Sequence, residues 1–159
     1  IDIMYTAKRN KKALIDEMDM LGIKLHSALT EPYSEIIAVY LFGSLIKGAR
    51  FEESDIDIAL LLDDETISPD DYFDYRLNIA DIFAPIFGTE TLDIIVLNEA
   101  STLLRFEIIK NGRLIFCRND ALRSAAEVKI MEEYYDTQYY RDISNAYLKE
   151  KIKAAAYGI

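Results

Sequence analysis

The sequence predicts an α+β (α/β) domain, a small mixed β-sheet flanked by helices. Short runs rich in β-branched and aromatic residues alternate with segments of helical period, in the order α-β-turn-β-α-β-α-β-α. Two of those runs are apolar apart from aspartates, two in the run from Asp55 to Leu62 and one, Asp93, in the run from Leu92 to Leu97, the pattern of strands covered on both faces. The length of 159 residues is that of one ordinary domain. A single domain is therefore expected, with an N-terminal helix at about 8–30, a core at about 36–118 and a C-terminal helical segment at about 119–150.

The first helix follows from Leu14, Met18, Leu21, Leu25 and Leu29, spaced by three and four, and Glu31-Pro32 stops it. His26 lies beside that stripe as a helix-surface residue. Ile36 to Phe42 is a continuous β-branched and aromatic run entering the Gly43-Ser44 turn, which reads as a buried strand. Ser44 to Arg50 has room for one or two helical turns ended by Gly48, followed by a loop through Phe51-Glu52-Glu53-Ser54. Asp55 to Leu62 is the second strand, expected to be central in the sheet.

Ser68-Pro69-Asp70-Asp71 carries a capping hydroxyl, a proline at the first position and acids in the first turn, so a helix is expected from there to about Phe83. Leu92 to Leu97 is a third buried strand, and Asp93 within it needs a partner, because a buried unpaired carboxylate costs several kcal/mol. Asn98 or Ser101 can cap a helix running to about Lys110, closed by Asn111-Gly112. Arg113 to Cys117 is the fourth strand, and helical pattern resumes from about Asn119 to near Leu148, with a break expected near Tyr140. Tyr134, Tyr135, Tyr139, Tyr140 and Tyr147 make this last segment either an interface or a helix packed back on the sheet.

Composition removes several function classes. With 28 acidic and 18 basic residues the formal charge is −10, so non-specific attraction to nucleic acid or anionic lipid is not expected. No apolar run approaches the roughly 20 residues that span a bilayer. Charges stand where a signal peptide would need its apolar stretch, and the single Cys117 sits in the run LIFC as a buried, inert thiol. A cytoplasmic protein is expected.

The chemistry gathers around YLFGSLIKGARFEESDIDIALLLD. Alternation along a strand projects Asp55 and Asp57 to one side with Ile56 on the other, and two like charges so close are relieved most simply by a cation. If its strand is a neighbour, Asp93 adds a third inward-facing carboxylate. Hard carboxylate oxygens suit magnesium, whose usual coordination is one or two carboxylates with substrate phosphates, so a nucleoside triphosphate is implied. Gly43 lets backbone approach the phosphates, the Ser44 hydroxyl can donate to an oxygen, and Lys47 offers a cation nearby. Arg50 is a second candidate cation, whereas Arg105 and Arg113 read as surface or strand-edge residues.

Gly43-Ser44, ten residues and then Asp55-Ile56-Asp57 resembles the signature of the nucleotidyltransferase superfamily related to DNA polymerase beta. Together with LDIIVLNEASTLLRFEIIKNGRLIF and EYYDTQYY it is similar to the minimal nucleotidyltransferases called MntA-type antitoxins, from about Val39 to Tyr140. Lys47 departs from the family, which often has arginine there. The resemblance implies the nucleotidyltransferase fold, and a pair of Mg2+ ions held by Asp55, Asp57 and Asp93. It further implies ATP phosphates held by Gly43 and Ser44, and in-line attack at the α-phosphorus. It also implies an acceptor, a tyrosine of a HEPN ribonuclease toxin that is silenced by AMP. A small-molecule nucleotidyltransferase of the antibiotic-modifying kind and a non-catalytic module that masks its partner are the alternatives. Self-association is compatible with either.

Overall fold

A computed structural model describes residues 16–47 and 55–158. Leu14, the beginning of the first helix, Gly48, Arg50 and the loop through Ser54 lie outside the described residues. Helix α1 occupies residues 16–28. It is followed by β1 (Ile36–Phe42), β2 (Ile56–Leu62), a 3-10 turn at Pro69–Asp71 and α2 (Tyr72–Phe87). Then come β3 (Leu92–Val96), a second 3-10 turn at Leu97–Glu99, α3 (Thr102–Asn111), β4 (Arg113–Cys117) and α4 (Asp120–Tyr157). Among the described residues no helix is long and apolar enough to cross a membrane.

The four strands form one mixed sheet in the order β3-β2-β1-β4. β1 pairs antiparallel with β2 and with β4, while β2 and β3 run parallel, with α2 in the connection between them. That connection follows from chemistry: parallel neighbours need a crossover, and the capping signals at Ser68 to Asp71 supply the helix for it. Ser68 accepts from the Asp70 N–H as expected, and Asp70 and Asp71 stand in the first turn.

Each face of the sheet has its own apolar layer. On one, Ile36, Val39, Leu41, Ile56, Ile58, Leu60, Ile94 and Val96 pack with Met18, Leu25 and Leu29 of α1 and with Ile79 and Phe83 of α2. On the other, Ile37, Ala38, Tyr40, Ala59 and Leu61 meet Phe106 and Ile108 of α3 and Ile130 of α4. Ile37 and Ala38 are consecutive yet belong to the same layer, because the β1–β2 register shifts between Ile36 and Ala38. Removal of a ring such as Phe83, which is fully buried, would leave a cavity costing about 3–5 kcal/mol.

Several expectations need correction. β2 begins at Ile56, so Asp55 stands just before the strand. The segment from Gly43 to Lys47 is a turn, with the Lys47 N–H donating to the Ser44 carbonyl at 3.1 Å, and no helix begins there among the described residues. β3 ends at Val96 and is an edge strand with Asp93 exposed, so burial cost does not require Asp93 to be paired. α2 continues past Phe83 and past Pro85 to Phe87, stopping where Gly88 adopts a left-handed φ of 70°. α4 has no break near Tyr140 and runs through Tyr157, a single helix of 38 residues. Its continuity has a sequence cause, since nothing between Asp120 and Tyr157 is glycine or proline.

Two polar devices fix the layers. Arg118, just after β4, sends its guanidinium to the carbonyls at the end of α1 and the loop behind it. It reaches Thr30 at 3.0 Å, Tyr33 at 3.1 Å and Ile36 at 3.1 Å, together with Leu29. These include C-terminal carbonyls a helix cannot satisfy itself, and a cation suits that end of the dipole. Asn98 extends the ladder of β2, accepting from the Leu62 N–H at 2.9 Å and donating to its carbonyl at 2.8 Å.

Candidate active site

The site lies at the end of the sheet where β1 leaves and β2 enters. Asp57 pairs with Phe42 across the antiparallel β1–β2 ladder and with Asp93 across the parallel β2–β3 ladder. Both carboxylates occupy the face that, farther along, packs under α3 and α4, since Ala59 and Leu61 follow Asp57 at alternate positions. At this end the acids meet solvent: Asp57 is half-buried, Asp93 and Asp55 are exposed. The inward-facing triad expected from sequence is therefore a rim.

Gly43 joins the acids to the turn. Its φ of 74° is in the left-handed region, and a Cβ placed on it would stand 1.9 Å from Asp57 Oδ2 and 2.7 Å from Asp57 Cγ. Only glycine fits both requirements. The Ser44 N–H donates to the Asp57 carboxylate, which is its one hydrogen-bonding influence against protonation. The Ser44 hydroxyl and the exposed Lys47 remain beside it in the turn.

The electrostatics are those of crowded negative charge. Burial, then the charge of Asp93 and finally that of Asp55 push the Asp57 carboxyl above its ordinary value of 3.8, against the opposing Ser44 amide. None of the three acids is paired with a cation among the described residues. A divalent cation is chemically suited to this donor set, since hard oxygens already repel one another around Asp57. The set is not a closed cage, however: no three His, Cys, Asp or Glu side chains among the described residues converge closely enough to hold a metal.

The other residues singled out from sequence stand elsewhere. His26 tilts against Phe116 at 5.6 Å between ring centroids, as a surface residue of α1. Cys117 is half-buried, its thiol pushed up chiefly by burial and pointing at Asp120. Arg113 is on the β4 edge, 3.9 Å from Asp19. Arg105 is more engaged than a surface reading allows, bound to Glu133 at 2.8 Å with its Nε buried and unpartnered. A groove of about 510 Å³ between α1 and β4, lined by Met18, Gly22, His26 and Arg113 among others, contains none of the candidate site residues.

Comparison with known proteins bears on the fold and on the chemistry. A family model described as polymerase beta, nucleotidyltransferase matches residues 24–121, more than half of the chain. No curated protein matches. Among solved structures, a toxin–antitoxin complex with AMP-PNP is 25% identical with a TM-score of 0.62, covering 80% of this chain and 98% of that one. A mutant of the toxin–antitoxin MntA–HpeT is also 25% identical, with a TM-score of 0.61 and coverage of 79% and 95%. A tri-AMPylated HEPN toxin of Shewanella oneidensis in complex with MNT antitoxin shares the fold at 23% identity, with a TM-score of 0.60 and coverage of 83% and 98%.

Proposed function

Because the chain belongs to the polymerase beta nucleotidyltransferase family, we propose that it transfers AMP from ATP to a tyrosine hydroxyl of a HEPN-type toxin and so acts as an antitoxin. The observation that carries the reading is the register that sets Asp57 beside Asp93, with Gly43 pressed against the Asp57 carboxylate. The antitoxin role is supported by the two toxin–antitoxin structures at 25% identity, one of them holding an ATP analogue. The acceptor draws on the tri-AMPylated neighbour, a likeness of fold. We read the chain as one nucleotidyltransferase domain, acting in the cytoplasm.

In this mechanism the Gly43-Ser44 turn receives the triphosphate, the Ser44 hydroxyl donating to a phosphate oxygen while its amide holds Asp57 in place. Lys47 offers a compact positive charge without the two-pronged geometry an arginine would give. Asp55, Asp57 and Asp93 would hold Mg2+, which when bound neutralises phosphate charge and favours ionisation of the attacking hydroxyl. The tyrosyl oxygen forms the new bond to the α-phosphorus, the bond to the β-phosphate oxygen breaks, pyrophosphate leaves and the hydroxyl proton passes to solvent. The open rim around Asp93 leaves room for a protein acceptor to dock over the site.

The test is mass spectrometry of a HEPN toxin incubated with the chain, ATP and Mg2+. One or more AMP additions on a tyrosine are expected, and Asp55→Asn with Asp57→Asn should abolish them. Undiminished transfer by that double mutant would remove the site assignment. Inhibition of a toxin that stays unmodified would favour the masking module instead.

A further inference from the structure

The outer part of α4 leaves the body of the molecule. Ile130 is buried, Tyr134 stacks on Phe106 at 3.7 Å, and Arg141 turns back over the Tyr134 ring at 4.1 Å. Every residue from Asp142 to Gly158 is exposed. The outer half of the helix carries an apolar ridge as well as charge. Tyr135, Tyr139, Ile143 and Tyr147 are 59%, 69%, 51% and 57% exposed and follow one another at four-residue intervals. Such spacing forms one ridge along a helix, which starts at Tyr135, edge-on to Phe106 at 5.8 Å, and from Tyr139 onward is turned away from the side that holds Ile130 and Tyr134. A helix standing free in water is marginal, and most helical stability comes from packing an apolar face.

The charges beside the ridge are polarised along the axis. Glu132, Asp136 and Asp142 are exposed in the first half, while Lys149, Lys151 and Lys153 are exposed in the second, with Glu150 the one acid among them. Arg141, the cation of the first half, is occupied: it donates to the Tyr134 carbonyl at 2.6 Å and to Thr137. We propose that a second copy of this chain closes the ridge, α4 lying antiparallel on α4 and crossing near residue 144. The antiparallel arrangement sets the lysines of each copy along the acids of the other. A parallel one would set acid on acid and lysine on lysine. A two-fold pair also requires a self-complementary surface, and the ridge from Tyr135 to Tyr147, set between an acidic and a basic half, provides it, while Leu148 and Ile152 are exposed on another side of the helix. This pairing is independent of the proposed transfer chemistry.

Sedimentation velocity of the full chain is expected to show a monomer–dimer equilibrium that weakens with salt. Ile143→Lys, at the crossing, is expected to raise the dissociation constant about thirtyfold or more. Two charge-reversed chains give the sharper measurement. One carries Lys149→Glu, Lys151→Glu and Lys153→Glu, and the other Glu132→Lys, Asp136→Lys and Asp142→Lys. Each alone is expected to be monomeric, and their equimolar mixture dimeric. The proposal is overturned if the native chain is monomeric at every concentration, as it would be if this face served only a different protein. It is equally overturned if the mixture fails to associate while both variants keep native helix content, or if Tyr135→Cys cross-links between copies in preference to Ile143→Cys.

Discussion

Gly43 and Asp57 show how little separates a turn from a site. The glycine is required twice, by its positive φ and by the carboxylate standing where a side chain would begin. Gly43→Ala is expected to destabilise the fold by about 1–2 kcal/mol through backbone strain alone. It should also displace Asp57, so thermal unfolding and AMP transfer fall together. Asp57 itself has a carboxyl raised by burial and by its acidic neighbours. A raised carboxyl means that the folded state binds the proton more readily than the unfolded one. Its contribution to stability is therefore fully present below the unfolded value and is lost as pH rises through the folded one. Asp57→Asn should accordingly raise the melting temperature at neutral pH without added metal, with the gain shrinking toward zero as pH drops below about 4. Gly43, Ser44, Asp55 and Asp57 were legible because they are local in sequence. The bond from the Ser44 amide to Asp57 was not, since it depends on how the turn closes against the next strand.

At the scale of elements, period and capping signals located each helix and strand that the structure describes; the errors fall at element ends, in the short helix expected after Ser44 and in the break expected near Tyr140. α2, expected to end at about Phe83, goes on through Pro85 to Phe87 and stops at Gly88, where the left-handed cap is available. The turn after Ser44 resembles a helix start in composition, yet it closes as a single turn, the Lys47 N–H donating to the Ser44 carbonyl. Asp93 could be placed in a strand by its apolar neighbours, whereas its position beside Asp57 comes from parallel pairing, which no local pattern encodes. Arg118 gave no signal at all, because its four carbonyl partners lie more than 80 residues away in the chain. Arg118→Met should cost about 2–3 kcal/mol by leaving those carbonyls without a charged donor, measured by urea unfolding. Hydrogen exchange should rise most in the last turn of α1.

For the whole molecule, α4 divides into a half that belongs to the core and a half that does not. Truncation after Arg141 takes away residues 142–158, all of them exposed. It should leave the melting temperature within a few degrees and AMP transfer intact, while abolishing self-association in sedimentation. The parallel pairing of β2 with β3 has a different consequence, one of motion. Two carboxylates directly opposite each other on adjacent strands oppose the pairing that positions them, and β3 is held on one side only. The amides of β3 should therefore exchange with solvent fastest of the four strands. They should slow when Asp93→Asn removes the repulsion or when Mg2+ is added to the native chain. Part of the energy that keeps this sheet edge closed would then come from the substrate complex, and the resting protein would breathe at its own active site.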